Sequence, residues 1–186
     1  MGYAQALEKA WSDLAGLTAD NNFSIKFLSD TYYIDLAKRQ ALSDSCNIPS
    51  KEHISIITLH YLIRKLKATT GMPQPVSDWI DFNHLEGGEV YFTAFKNRTI
   101  DHIIKKFGST PELLLKSAER FPSKVGSVGD TSVIIYPFDE VPILITMWKG
   151  DDEFGPDANI LYDRSISGIF CMEDIVVLTE IVVHQL

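Results

Sequence analysis

Cysteine is scarce in this sequence: two residues in 186, Cys46 and Cys171, neither within a paired-cysteine motif. Thiolate ligand sets for zinc or an iron–sulfur cluster are thereby excluded, and free thiols in a reducing cytoplasm are expected. Long hydrophobic runs are missing too. The opening MGYAQALEKAW has no basic stretch followed by an apolar one, so neither a secretory leader nor a membrane span is expected. Positive charge is in deficit, with 17 Lys and Arg against 25 Asp and Glu, a net charge of -8. That balance opposes the phosphate neutralisation on which nucleic-acid binding depends, so no DNA or RNA partner is expected. The most basic stretch, IRKLK at 63 to 67, reads as positive charge suited to the last turn of a helix. Catalytic signatures are absent as well: HExxH, Gly-x-Ser-x-Gly, the P-loop, the dinucleotide fingerprint and the EF-hand register do not occur.

What is present is the composition of a globular protein, 45% hydrophobic and 23% charged. The length suits a single domain over residues 1–186. Ala4, Leu7, Ala10, Trp11 and Leu14 recur at helical spacing and predict a helix over 3–16. FSIKFL (23–28) and TYYIDL (31–36) are rich in aromatic and β-branched residues around Ser29-Asp30 and predict an antiparallel hairpin. SDSCNIPS reads as a polar link, after which Ser50 caps a buried helix over 51–68. Gly71, Pro73 and Pro75 end that helix. WIDFNHLEGG reads as a loop, followed by one helix from about 88 to 107 and a short helix begun by Thr110 and Pro111. TSVIIYPF, VPILITMW and ANILYD predict three strands, and 172–186 a final helix. An α+β fold follows, mostly antiparallel sheet with helices packed against it.

Chemistry concentrates in MWKGDDEFGPDANILYD, residues 147–163. Asp151, Asp152 and Glu153 adjoin one another at a predicted strand end, bracketed by Trp148 and Phe154, with Asp163 close behind. Adjacent carboxylates repel, so a fold keeps them in water or gathers them around a cation; a hydrated magnesium ion needs only one or two of them. Aromatic neighbours that desolvate a carboxyl raise its pKa, which suits a general acid or base. A second group is Trp79, Phe82 and His84, which could line a pocket or simply pack. Gly87-Gly88 before a helix could offer backbone donors to an anion, although Glu86 and Glu89 flank it with negative charge. His53 and His60 share a helix face but stand ~10 Å apart along it, too far for one metal ion.

The succession Gly71-x-Pro73, Trp79-Ile80-x-Phe82, Gly87-Gly88-x-x-Tyr91, Trp148-x-Gly150-Asp151-x-Glu153-Phe154 and Ile160-Leu161-x-Asp163 resembles the prokaryotic family called domain of unknown function 3786, over nearly the whole chain. The resemblance implies no assigned activity. It implies a setting in anaerobic bacteria and archaea, and relatives fused to an iron–sulfur module of the type found in corrinoid one-carbon proteins. The cysteines for that module are not in this sequence.

The reading that follows is a soluble cytoplasmic binding or accessory domain. It would take a small molecule or a protein partner near Trp148, Asp151, Asp152, Glu153, Phe154 and Asp163, with Trp79 and His84 as further candidates, in a context of one-carbon or corrinoid metabolism. The alternative is an enzyme that uses the acidic loop as acid, base or divalent-metal site. A homo-oligomer formed through an apolar strand edge is a third reading. No motif specifies a cofactor.

Overall fold

Hydrophobic periodicity places most elements where the residue pattern predicts them. The computed structural model describes residues 2–186. Its backbone contacts divide into two compact units, Met1–Met72 and Pro73–Leu186.

In the first unit, α1 (Tyr3–Ala15) buries Ala10, Trp11 and Leu14 along one stripe, the i, i+4 geometry of an amphipathic helix. Strands β1 (Asn22–Phe27), β2 (Asp30–Asp35), β3 (Gln40–Ser43) and β4 (Ile48–Pro49) form an antiparallel meander in that order. The β3–β4 hairpin runs through the segment expected to be a polar link. Asp30 explains it: one oxygen accepts from the Ser43 hydroxyl at 2.5 Å, and the other accepts from the Ser45 N–H at 3.1 Å and the Ser45 hydroxyl at 2.5 Å. Burial acts to raise the Asp30 carboxyl, but these bonds and one from the Thr31 N–H outweigh it and hold the pKa below the ordinary value. Helix α2 (Glu52–Lys67) follows, buried around most of its circumference. Ser50 does not cap it as expected; the Ser50 hydroxyl bonds Ser55 Oγ at 2.5 Å instead, and the first turn has no side-chain cap.

The second unit is built on a five-stranded antiparallel sheet, ordered β5 (Trp79–Asp81), β9 (Asp157–Asp163), β8 (Val141–Trp148), β7 (Thr131–Phe138), β6 (Ser123–Val125). The two edge strands were not predicted; each is three residues long and carries no alternation to read. Central β8 is buried along its length except at Trp148. Between Ile135 and Phe138 the β7–β8 register shifts, at Pro137, which has no N–H for the ladder.

The expected helix over 88–107 is two helices, α3 (Gly88–Arg98) and α4 (Ile100–Phe107). They break at Thr99, whose φ and ψ of -123° and -71° lie off helical values and whose buried hydroxyl donates to the Phe95 carbonyl at 2.7 Å. After α5 (Glu112–Ala118) and the strands, α6 (Met172–Gln185) buries Ile175, Leu178, Thr179, Ile181, Val182 and Val183. Its anchor to the sheet is the 2.7 Å bond between Thr179 Oγ1 and the fully buried Tyr162 hydroxyl on β9. Among the described residues, no helix is long and apolar enough to cross a membrane.

Candidate functional site

The residues singled out in the sequence lie at opposite ends of β9. Trp148 pairs with Asp157 at one end, and Trp79 pairs with Asp163 at the other. At ~3.3 Å per residue, the seven residues of β9 put these ends about 20 Å apart. Trp148, Asp151, Asp152, Glu153 and Phe154 therefore share one end, and Trp79, His84 and Asp163 the other.

At the first end, the acidic loop closes on itself. Asp151 Oδ1 accepts from the N–H groups of Glu153 and Phe154, both at 2.8 Å, and the Asp151 N–H donates to the Phe154 carbonyl at 2.8 Å. Those two backbone donors hold the Asp151 carboxyl below its ordinary value. The direction is opposite to the one expected from aromatic desolvation, because Phe154 is 71% exposed and shields nothing. Asp151, Asp152 and Glu153 are all exposed. A cavity of about 400 Å³ beside the loop is lined by Gly108, Ser109, Pro111, Glu112, Lys149, Gly150 and Pro156, and not by the three carboxylates. Among the described residues no group of three or more His, Cys, Asp or Glu is placed to hold a metal ion.

At the second end, Asp163 works as a fastener. It is 1% exposed; one oxygen accepts from the N–H groups of Val76 at 3.0 Å and Ser77 at 2.7 Å, and the other from the Ser165 N–H at 3.0 Å. Burial would raise this carboxyl, but the hydrogen bonds from Ser165, Val76 and Ser77 prevail and lower it. The carboxylate thus ties the loop after Pro73 to the 3₁₀ turn Arg164–Gly168, and the Arg164–Asp78 ion pair at 2.5 Å repeats the tie outside. His84 is exposed and turned to Asp81, with Nδ1 2.7 Å from the carboxylate. Trp79 is half-buried on β5.

Next to this fastener is a cleft. One wall is the segment Leu85–Tyr91, shaped by two glycines. Gly87 has φ +81°, a conformation L side chains rarely adopt, and a Cβ on Gly88 would stand 1.9 Å from the Phe82 carbonyl oxygen. Phe82 is fixed in turn by stacking on Phe95, with ring centroids 3.8 Å apart. The other wall is Ser167 to Ile175, entering α6. The cleft measures about 390 Å³ and is lined by Leu85, Tyr91, Phe170, Met172, Glu86 and Glu173, among others. Through Tyr91, Met172 and Glu173 it continues into an apolar groove of about 210 Å³ reaching Val176, Val177 and Arg98.

Three charged side chains line this space. Arg98 is engaged by Glu180 at 2.9 Å, whereas Glu86 and Glu173 have no ion-pair partner among the described residues. Burial pushes the Cys171 thiol up to about 12, with the Asp174 and Glu173 carboxylates adding to the shift. Sequence reasoning missed Tyr91, Phe170, Met172 and Glu173 as site residues. The available signal was the Gly87-Gly88-x-x-Tyr91 block; Phe170 and Met172 looked like ordinary apolar positions until the chain folded.

A family model described as Domain of unknown function (DUF3786) matches residues 7–185. The chain belongs to that family. No curated protein and no solved structure matches it significantly. In this DUF3786 chain the blocks Trp79-Ile80-x-Phe82, Gly87-Gly88-x-x-Tyr91 and Ile160-Leu161-x-Asp163 build or brace the cleft, and Pro73 packs against Gly168 beside it. The block from Trp148 to Phe154 forms the acidic loop at the far end of β9.

Proposed function

We propose that the chain is a cytoplasmic binding domain for a small molecule, received in the cleft between Leu85–Tyr91 and Ser167–Val177, and that the molecule carries an apolar body and a positive charge. The observation that carries this reading is the mismatch in the cleft's charge. Its arginine is already neutralised by Glu180, while Glu86 and Glu173 have no ion-pair partner among the described residues and lie beside apolar and aromatic walls. A cation over Tyr91, 48% exposed, gains from the ring face as well as from the carboxylates. The volume suits a drug-sized ligand rather than a whole corrinoid, and the free cysteines suit a reducing compartment. One-carbon metabolism as the setting rests on the family resemblance. The enzymatic alternative draws less support, because Asp151, Asp152 and Glu153 are exposed and do not line the cavity beside their loop.

Thermal-shift screening of organic amines against matched neutral alcohols tests the proposal. An amine at 100 times its Kd should stabilise the fold by about 2.7 kcal/mol. Glu173→Gln should weaken its binding by about tenfold, the loss of one ~1.4 kcal/mol charged contact. Equal responses to amines and alcohols, or none, would sink the reading.

A further inference from the structure

A further pocket lies within the first unit. It measures about 360 Å³ and sits between α1, the start of β3 and the amino end of α2, lined by Leu7, Trp11, Lys38, Arg39, Gln40 and Ser50, among others. Its polar groups are mostly donors. Lys38 is paired with Asp35 at 2.8 Å and Arg39 with Glu8 through one guanidinium nitrogen at 2.5 Å, so the other Arg39 N–H groups remain available. Gln40 adds a carboxamide, and α2 begins without a side-chain cap. Of the acidic residues, Glu52 alone lines the pocket, and it is exposed.

Trp11 decides the sign of the ligand. It is 2% exposed, and its indole N–H, which can only donate, has no hydrogen-bond partner among the described residues. The Trp11 N–H is not among the completely enclosed side-chain atoms of those residues that lack a hydrogen-bond partner. The Trp11 N–H is therefore unpartnered yet accessible, and the pocket is the space that Trp11 lines. An accessible donor with no acceptor in the protein is open to one that a ligand supplies.

We propose that this pocket binds a small oxyanion, the carboxylate or phosphate group of a metabolite, with the Trp11 indole and the remaining Arg39 N–H groups as its donors and Trp11 and Leu7 forming the apolar side. The proposal is independent of the amine cleft in the second unit. Arg39 offers a planar donor fork that matches an oxyanion, and the amino end of α2 adds a favourable dipole.

The test is a two-dimensional proton–nitrogen NMR titration of the full chain at constant ionic strength, with inorganic phosphate in one arm and acetate in the other. The protein has 3 tryptophans, so three indole signals report separately, and Trp11→Phe assigns the relevant one. The expected result is a saturable shift of the Trp11 indole signal in at least one arm, with Trp79 and Trp148 unmoved. Phosphate alone, acetate alone or both would tell which oxyanion the pocket prefers. Arg39→Gln should weaken the apparent Kd by about tenfold, while unchanged backbone amide signals from α1, β1 and β2 show that the first unit is intact. A Trp11 signal that stays still in both arms, three indoles that drift alike, or undiminished affinity in Arg39→Gln would overturn the proposal.

Discussion

Replacing Asp163 probes the element that holds the candidate cleft together. In Asp163→Ala the N–H groups of Val76, Ser77 and Ser165 lose their acceptor at a position 1% exposed. Each buried donor left unsatisfied costs about 1–3 kcal/mol, reduced where water can enter. Water reaches the loop from outside, so we expect a total of about 3–5 kcal/mol, the range for breaking a buried charged contact. Asp163→Asn keeps the shape but turns a donor toward one set of N–H groups, so about 2–3 kcal/mol is expected. For a chain of this length each kcal/mol moves Tm by about 2–4 °C. The alanine variant should therefore melt roughly 6–20 °C lower in a calorimetric scan.

The pH dependence has a defined sign. The folded carboxyl lies below its ordinary value of 3.8. Its contribution is complete above that value and disappears as pH falls through the lower folded pKa. The gap in Tm between wild type and Asp163→Asn should accordingly be constant from pH 5 to 7 and close only in stronger acid. An alanine variant within about 1 kcal/mol of wild type, or a gap that opens on acidification, would refute the fastening role.

Two further outcomes follow from the same geometry. Replacing Asp152 and Glu153 by serine should leave stability within about 0.5 kcal/mol, and Asp151→Ser should lower it by up to about 1 kcal/mol through loss of its two backbone contacts; urea unfolding measures both, and a loss of several kcal/mol would mean that the loop is held from outside. Gly88→Ala should be severe, about 3 kcal/mol or more, because its Cβ meets backbone at 1.9 Å, whereas Gly87→Ala has open space and should lose only the ~1–2 kcal/mol of left-handed strain; equal effects at the two positions would contradict the close approach to Phe82.

The α+β class and the long elements were legible because each follows from a local period: helical spacing in α1, α2 and α6, apolar runs in β7 and β8. Short pieces were not. The hairpin through Ser43 and Ile48 depends on Asp30 reaching across the chain, β5 and β6 depend on neighbours that supply their ladders, and the break at Thr99 depends on a hydroxyl turned back to Phe95. The site divided in the same way. The sequence alone determined which residues could carry charge or aromatic surface, and it marked the two glycines and the Asp163 block. Only the tertiary structure decided that Asp163 is already occupied by backbone donors, that Asp151 faces water, and that Tyr91 and Glu173 meet across a cleft. Local propensity acts over a few residues, whereas burial and hydrogen-bond partners are set by segments distant in the chain, and these determine whether a carboxylate holds the fold together, is solvated or is available to a ligand.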